Sequence, residues 1–198
     1  MTNSTGSIVV SLSMSLDGFS AGPDVAVERP MGEGGERLHE WLFQGDADPS
    51  GVDTRVAQEL SAVTGAVVLG RRTFDVGVGL WQDTPFPVPS FVLTHEVREQ
   101  QQMKSAAFTF VTDGIGSALR QARAAAVDKD VLVMGGARTA QQAIAAGLAD
   151  EIQIQLVPVL LGSGVRLFDQ LGTEHIELER TRVLGSPHVT HLRFRVRR

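Results

Sequence analysis

The segment VVLGRRTF, at residues 67–74, is the stretch from which the fold is most directly inferred. Its apolar half is typical of a buried strand, and Gly70 then leads into a helix that begins near Arg71 and Arg72. The first turn of such a helix offers free backbone N–H groups and the positive end of the helix dipole. Arginine adds a planar fork that matches phosphate oxygens. The segment therefore indicates either a phosphate-binding corner or a plain turn followed by two solvated arginines.

A second corner of the same kind occurs in the segment VLVMGGART, at residues 131–139. Val131–Met134 is predicted as a buried strand and Thr139–Ala146 as a helix. Between them, the adjacent Gly135 and Gly136 would let a ligand approach the backbone closely, because neither carries a Cβ. The spacing is not the six-position glycine fingerprint of a dinucleotide fold. Taken alone, a tight strand-to-helix turn is an equally good interpretation.

A third segment places a carboxylate at the end of a strand. Residues 8–16 alternate between apolar and polar side chains, which predicts a strand with one face in a core. Asp17 and Gly18 follow, either as a common turn or as part of a site. Ligands of open α/β sheets collect at the carboxyl ends of the strands. We therefore expect all three segments to lie along one edge of a sheet.

The remaining pattern alternates strands with helices and ends in two long extended stretches. The further strands are predicted at Ala66–Leu69, Phe91–Thr94, Phe108–Val111, Glu151–Val157, Glu174–Leu184 and His188–Arg197. The further helices are predicted at Glu36–Phe43, at Arg71–Val76, and from Asp53 and Asp113, each as an N-terminal residue. Together they predict an α/β fold in which a mixed, mostly parallel sheet carries helices on both faces and a C-terminal antiparallel hairpin. We expect one domain over residues 1–198, with residues 1–6 as a flexible tail.

Composition excludes several classes of function. The 198 residues carry a net charge of −5, which argues against non-specific nucleic-acid binding. The absence of cysteine excludes thiolate nucleophiles, disulfides and Cys-zinc sites, and there is no tyrosine to donate a proton. No apolar run approaches the roughly 20 residues of a membrane span, and the polar start lacks a signal region. We expect a cytoplasmic protein with no membrane partner. We also expect no metal site, because four histidines lack ligand spacing: His39, His175, His188 and His191.

The ordered set of motifs resembles the dihydrofolate reductase-like family. It is most similar to the branch typified by the reductase domain of riboflavin biosynthesis, which is the C-terminal domain of a bifunctional deaminase-reductase. The segments that carry the resemblance occur in family order and span nearly the whole chain: residues 15–18, 70–74, 135–136 and 160–168. The resemblance implies a three-layer dihydrofolate reductase-like fold and a reductase that uses NADPH on a small heterocyclic substrate.

The resemblance also implies a set of site residues. Those that would hold the cofactor's phosphates are Gly70, Arg71, Arg72, Thr73, Gly135, Gly136, Ala137, Arg138 and Thr139. Thr94 and His95 correspond to the family segment that meets the adenosine 2′-phosphate. Asp17 is the candidate catalytic residue, which would bind a substrate hydroxyl or help to move a proton.

One departure from the family concerns the substrate. Folate-reducing members carry a carboxylate on the first helix, just ahead of an aromatic residue. Alignment on Trp41 places Leu38 there, while Glu36 and Glu40 are out of register. This register argues against dihydrofolate as the substrate. The resemblance to the riboflavin branch implies instead a pyrimidine that carries a ribosyl phosphate, as in 5-amino-6-(5-phosphoribosylamino)uracil. Two alternatives stay open: a dihydrofolate reductase, and a protein that binds NADPH without turnover.

A final expectation concerns assembly. The last predicted strand carries Leu192, Phe194 and Val196 on one face. Such a face is normally covered, either by the chain's own helices or by a second copy. Reductases of the riboflavin type pair in this way, so the resemblance implies a homodimer.

Overall fold

The structure is a computed structural model that describes residues 6–43 and 51–197. Most of the tail expected at residues 1–6 lies outside the described residues. The strands are β1 (Ile8–Ser15), β2 (Phe19–Ala21), β3 (Thr64–Gly70), β4 (Ser90–Leu93), β5 (Gln101–Gln102), β6 (Ala107–Val111), β7 (Asp130–Gly135), β8 (Glu151–Val157), β9 (Val165–Arg166), β10 (Leu178–Gly185) and β11 (Thr190–Val196). The helices are a 3-10 turn at Gly35–Leu38, then α1 (Glu40–Phe43), α2 (Val52–Val63), α3 (Arg71–Trp81), α4 (Ile115–Ala126) and α5 (Ala137–Ala145).

A single large sheet organises the described residues. Its strand order is β10-β11-β8-β1-β7-β3-β4-β6-β5, and β2 pairs separately with β9. The central pairs from β8 to β6 are all parallel. The strand β11 runs antiparallel to β8 and forms a hairpin with β10. This arrangement confirms the predicted mixed, mostly parallel sheet with a C-terminal hairpin.

Helices cover both faces of the sheet, as predicted. Successive residues of a strand point to opposite faces. On one face Val68 and Val133 pack in a cluster with the buried residues of α4 and α5. On the other face Val67 and Leu69 pack with Phe74 of α3. Burial on both sides explains why the central strands are continuous apolar runs rather than alternating ones.

The two acidic residues predicted to begin helices, Asp53 and Asp113, do not do so. The helix α2 begins at Val52 with Gly51 as its N-cap, because the Asp53 carboxylate is used elsewhere. This carboxylate accepts a hydrogen bond from Ser186 Oγ at 2.9 Å, and its other oxygen lies 2.8 Å from His191 Nε2. The helix α4 begins after Gly114, whose φ of +84° suits a glycine better than the expected Asp113.

Other boundaries also shift. The helix predicted at Glu36–Phe43 is a 3-10 turn followed by the four-residue α1. The helix predicted from Thr139 begins two residues earlier, so Ala137 and Arg138 lie in its first turn. The strand predicted from Glu174 begins only at Leu178, where pairing with β11 starts. None of the described helices has both the length and the apolar character needed to cross a membrane.

Candidate active site

The two strand-to-helix corners lie side by side. Strands β3 and β7 are parallel neighbours, and Leu69 is paired with Gly135, so both strands end at the same edge of the sheet. The helices α3 and α5 begin directly after these ends. Strand β1 is the other neighbour of β7, which brings the segment that follows Ser15 to the same edge. The structure therefore brings together the three segments that the sequence singled out.

Neither helix N-terminus at this edge is capped by a side chain. The N-caps are Gly70 for α3 and Gly136 for α5, and neither supplies a capping group. The first turn of each helix consists of predicted site residues, which are Arg71, Arg72 and Thr73 in α3 and Ala137, Arg138 and Thr139 in α5. Uncapped first turns leave backbone N–H groups available for an anion.

The two corners also contact each other closely. A Cβ on Gly70 would lie 2.6 Å from Oγ1 of Thr139, so only glycine allows this approach. Thr139 is buried, which makes its hydroxyl a link between the corners rather than a group that faces outward. A Cβ on Gly136 would meet only Oγ1 of Thr73, at 3.2 Å. Gly135 has a φ of +141°, a conformation that favours glycine, and its peptide bond to Gly136 is cis.

The arginines of the first corner already have partners. Arg71 donates from Nε to both carboxylate oxygens of Asp75 at 2.8 Å, and from Nη1 to Glu96 at 2.6 Å. These bonds, to Asp75 first and Glu96 second, raise the pKa of Arg71. Arg72 donates to the carbonyl of Val25 at 2.7 Å, which ties the start of α3 to the loop after β2. Arg138, in the second corner, is exposed.

Thr94 and His95 lie beside the first corner. Gly70 is paired with Leu93 in the neighbouring strand β4, so the next residues of that strand follow the same edge. Thr94 is buried, and its Oγ1 accepts a hydrogen bond from the backbone N–H of Glu96 at 3.1 Å. His95 is exposed. Their contact with an adenosine 2′-phosphate, which the resemblance implies, stays a prediction.

Asp17 is bound by groups from a distant loop. Its carboxylate accepts hydrogen bonds from Ser15 Oγ at 2.6 Å, from the Gly162 N–H at 2.7 Å and from the Leu161 N–H at 3.1 Å. The bond from Ser15 is the largest influence, and together these donors lower the pKa of Asp17 to about 2. The carboxylate is therefore ionised at neutral pH and fastens the turn after β1 to the loop at residues 160–164.

Sequence reasoning missed a polar layer on the face of the sheet that lies under α1 and α2. Trp41 Nε1 donates to Ser13 Oγ at 3.0 Å, and Gln155 Nε2 donates to Ser11 Oγ at 3.3 Å. His191 lies against Trp41, with 5.1 Å between the ring centroids. The serines at every second position of β1 could have indicated this layer, since their side chains share one face of the sheet and a helix covers that face.

The same layer explains the departure from the folate pattern. Leu38 is fully buried and packs with Trp41 and Val157, while Glu36 and Glu40 are exposed. A carboxylate near the sheet is instead supplied by α2, in Asp53, beside His191. The groove between α2 and the sheet has a volume of about 310 Å³. In the part of the chain that the structure describes, no acidic or histidine cluster has a metal-binding arrangement.

Comparison with known proteins places the chain in a family. The family model for the RibD C-terminal domain matches residues 7–190. The chain belongs to this family. Membership confirms the resemblance that the ordered motifs carried, and the match includes both corners and Asp17. None of the curated proteins compared matches the chain.

Several solved structures are similar in fold to this RibD C-terminal domain. A protein from Shewanella sp. PV-4, described as a riboflavin biosynthesis protein, has 23% identity and a TM-score of 0.69 over 97% of this chain and 99% of its own. Dihydrofolate reductase from Enterococcus faecalis, in complex with NADP(H), has 13% identity and a TM-score of 0.61 over 97% of both chains. A deaminase/reductase from Thermotoga maritima has 15% identity and a TM-score of 0.62, over 98% of this chain but 58% of its own. These similarities confirm the predicted dihydrofolate reductase-like fold.

Proposed function

We propose that the chain is an NADPH-dependent reductase that transfers hydride to a small heterocyclic substrate, most like 5-amino-6-(5-phosphoribosylamino)uracil. The observation that carries the proposal is the pair of uncapped helix N-termini, α3 and α5, at one edge of the sheet. Two such termini suit the two phosphates of a dinucleotide. Membership in the RibD C-terminal domain family supports a reductase, since a deaminase/reductase shares the fold.

The corners fit a nicotinamide cofactor. The backbone of Gly135 and Gly136 offers a surface without side chains, on which a pyrophosphate would rest between the first turns of α3 and α5. Arg71, with Thr94 and His95 beside it, would meet the adenosine 2′-phosphate. When bound, NADPH supplies the hydride, and the protein supplies orientation and a pocket shielded from water.

Asp17 stays the candidate catalytic residue. Because its pKa is about 2, its carboxylate suits accepting a hydrogen bond from the substrate better than donating a proton. Its bonds to the backbone of Leu161 and Gly162 also hold the loop at residues 160–164 against the turn after β1. In this arrangement, Asp17 orients both the loop and the substrate.

The choice of substrate class rests on the first helical segment. Leu38 is part of the core, so the carboxylate that folate-reducing members carry at this place is missing. The phosphoribosylamino pyrimidine is the substrate class that the resemblance to the riboflavin reductase branch implies in its place.

Loss of NADPH absorbance in the presence of each substrate tests the proposal. We expect turnover with the phosphoribosylamino pyrimidine and at most a trace with dihydrofolate. Faster reduction of dihydrofolate would reassign the substrate, and tight NADPH binding without turnover of either would make the chain a binding protein. If NADPH does not bind, the proposal fails as a whole.

A further inference from the structure

The guanidinium of Arg71, which is proposed to bind the 2′-phosphate of the cofactor, forms an ion pair with the carboxylate of Glu96. Arg71 lies at the edge formed by β3 and β4, and its Nη1 donates to Glu96 at 2.6 Å. A second carboxylate, Asp75, takes the Nε side of the same group. The guanidinium therefore faces two carboxylates in the described structure. Arg98 is the nearest further cation, with 3.6 Å between its Nη2 and Glu96.

The position of Glu96 is fixed by the fold rather than by its ion pair alone. Thr94 is buried, and its backbone N–H bonds to the carbonyl of Val111 at 3.0 Å. The hydroxyl of Thr94 then accepts the backbone N–H of Glu96, which closes a short turn directly after β4. This turn keeps the Glu96 carboxylate within reach of Arg71.

The two forms of the nicotinamide cofactor meet this arrangement differently. The 2′-phosphate of NADPH carries a charge of about −1.5 to −2 at neutral pH and needs an unshared cation. At Arg71 it competes with Glu96 for the Nη1 side of the guanidinium, and the Glu96 carboxylate repels it. The 2′-hydroxyl of NADH is a hydrogen-bond donor, and an acidic residue is a suitable acceptor for it. The same carboxylate therefore opposes one cofactor and tolerates the other.

We infer that Glu96 is a specificity-determining residue, which weakens NADPH binding relative to NADH by competing with the 2′-phosphate for Arg71. The inference rests on the proposed function, since it requires a nicotinamide cofactor at this edge. The presence of Glu96 lowers the ratio of NADPH affinity to NADH affinity below the ratio that Arg71 and His95 alone would give. The inference also assigns a role to a residue that the motifs did not include.

Calorimetric titration of the full chain tests the inference without relying on turnover. The ligands are two pairs, NADPH with NADH and the fragment 2′,5′-ADP with 5′-AMP. Within each pair the two compounds differ only at the 2′ position. Glu96→Gln keeps the size of the side chain and removes its charge. We expect it to tighten binding of NADPH and 2′,5′-ADP by about three- to tenfold, the size expected for one partly screened charge. Binding of NADH and 5′-AMP should change by less than about twofold.

Glu99→Gln is the matched control, because it removes the same charge from an exposed residue of the same loop. It should leave the ratio of the NADPH and NADH dissociation constants unchanged. If both cofactors bind but Glu96→Gln leaves that ratio at the wild-type value, or shifts it no more than the control does, the inference is overturned and the proposed function stands. If neither cofactor binds to the wild type or to the variants, both fail.

Discussion

At the scale of single residues, Asp17 illustrates how a distant contact redefines a local motif. The sequence shows only an Asp-Gly pair after a strand, which is an ordinary turn. The structure adds two backbone donors, from Leu161 and Gly162, that lie 144 and 145 residues away along the chain. No local pattern contains this information, because the donors are backbone groups whose identity does not depend on side-chain type. The sequence thus located the carboxylate but not its partners.

Asp17→Asn is expected to lower turnover by roughly 10²-fold or more, with little change in NADPH affinity. The amide keeps one acceptor oxygen but places an NH₂ group against N–H donors, so the loop at residues 160–164 loses part of its attachment. Steady-state kinetics with the preferred substrate, together with a cofactor titration, measures both quantities. Asp169→Asn is the charge-matched control, since Asp169 is exposed and, among the described residues, accepts a hydrogen bond from the neighbouring Gln170 backbone. Wild-type turnover in Asp17→Asn would remove Asp17 from the mechanism.

At the scale of elements, the strand-to-helix corners were readable from sequence, whereas the attachment of α2 was not. Both corners have the same local pattern, in which an apolar strand is followed by glycine and then by a helix. The helix α2 has no buried residue among those described. Asp53 attaches it to Ser186, 133 residues later, and to His191. The local sequence favours Asp53 as the N-cap of α2, but its carboxylate bonds to these distant residues instead of to the first turn of the helix.

Gly136→Val is expected to abolish NADPH binding and to leave the fold intact. Gly136 has a φ of −73°, which any residue adopts, and an added Cβ approaches only Thr73 Oγ1, at 3.2 Å. The valine methyl groups would instead occupy the space proposed for the pyrophosphate. Circular dichroism checks the fold and calorimetry checks binding, with Gly136→Ala as a smaller step along the same series. A folded valine variant that binds NADPH normally would show that this corner is only a turn.

Asp53→Ala is expected to lower the free energy of unfolding by about 1–3 kcal/mol. The change removes the acceptor for Ser186 Oγ and the partner of His191, whose side chain is only 7% exposed. Urea denaturation measures the loss. Glu59→Gln on the same helix is the comparison, because its ion pair with Arg182 is exposed and such pairs contribute less than about 1 kcal/mol. Equal losses in the two variants would contradict the importance assigned to the buried contact.

At the scale of the whole molecule, the sequence predicted a mixed, mostly parallel sheet with helices on both faces and a C-terminal hairpin. It predicted neither the strand order nor the surface at the edge of the sheet. The apolar face of β11 is partly covered by the chain itself, since Leu192 and Val196 pack against the larger core cluster. Pairing of Val183 with Leu192 and of Leu178 with Val196 extends that face onto the edge strand β10. Val183 and Leu178 are 48% and 41% exposed. A register shift between Arg180 and Arg182 makes this alignment possible, and no periodicity in the sequence reveals it.

This apolar strip leads us to expect a homodimer in solution. A second copy that covers Leu178 and Val183 would remove exposed apolar surface at the edge of the sheet. Light scattering at micromolar concentration should give a mass near twice that of the 21.2 kDa chain. Val183→Glu should shift the mass toward the monomer, whereas Val127→Glu, an exposed apolar position outside the strip, should not. A wild-type mass near 21.2 kDa would reject the dimer.

The central place of β1 has a consequence for how the chain is made. Val9 is paired with Leu132 on one side and with Glu151 on the other, so β1 has partners that are synthesised more than a hundred residues later. At roughly 5–20 residues per second, this apolar strand waits on the order of ten seconds for its neighbours. During that interval the nascent chain displays an unpaired strand that is a target for chaperones and for aggregation. Slower translation of the segment between β1 and β7 would lengthen that exposure.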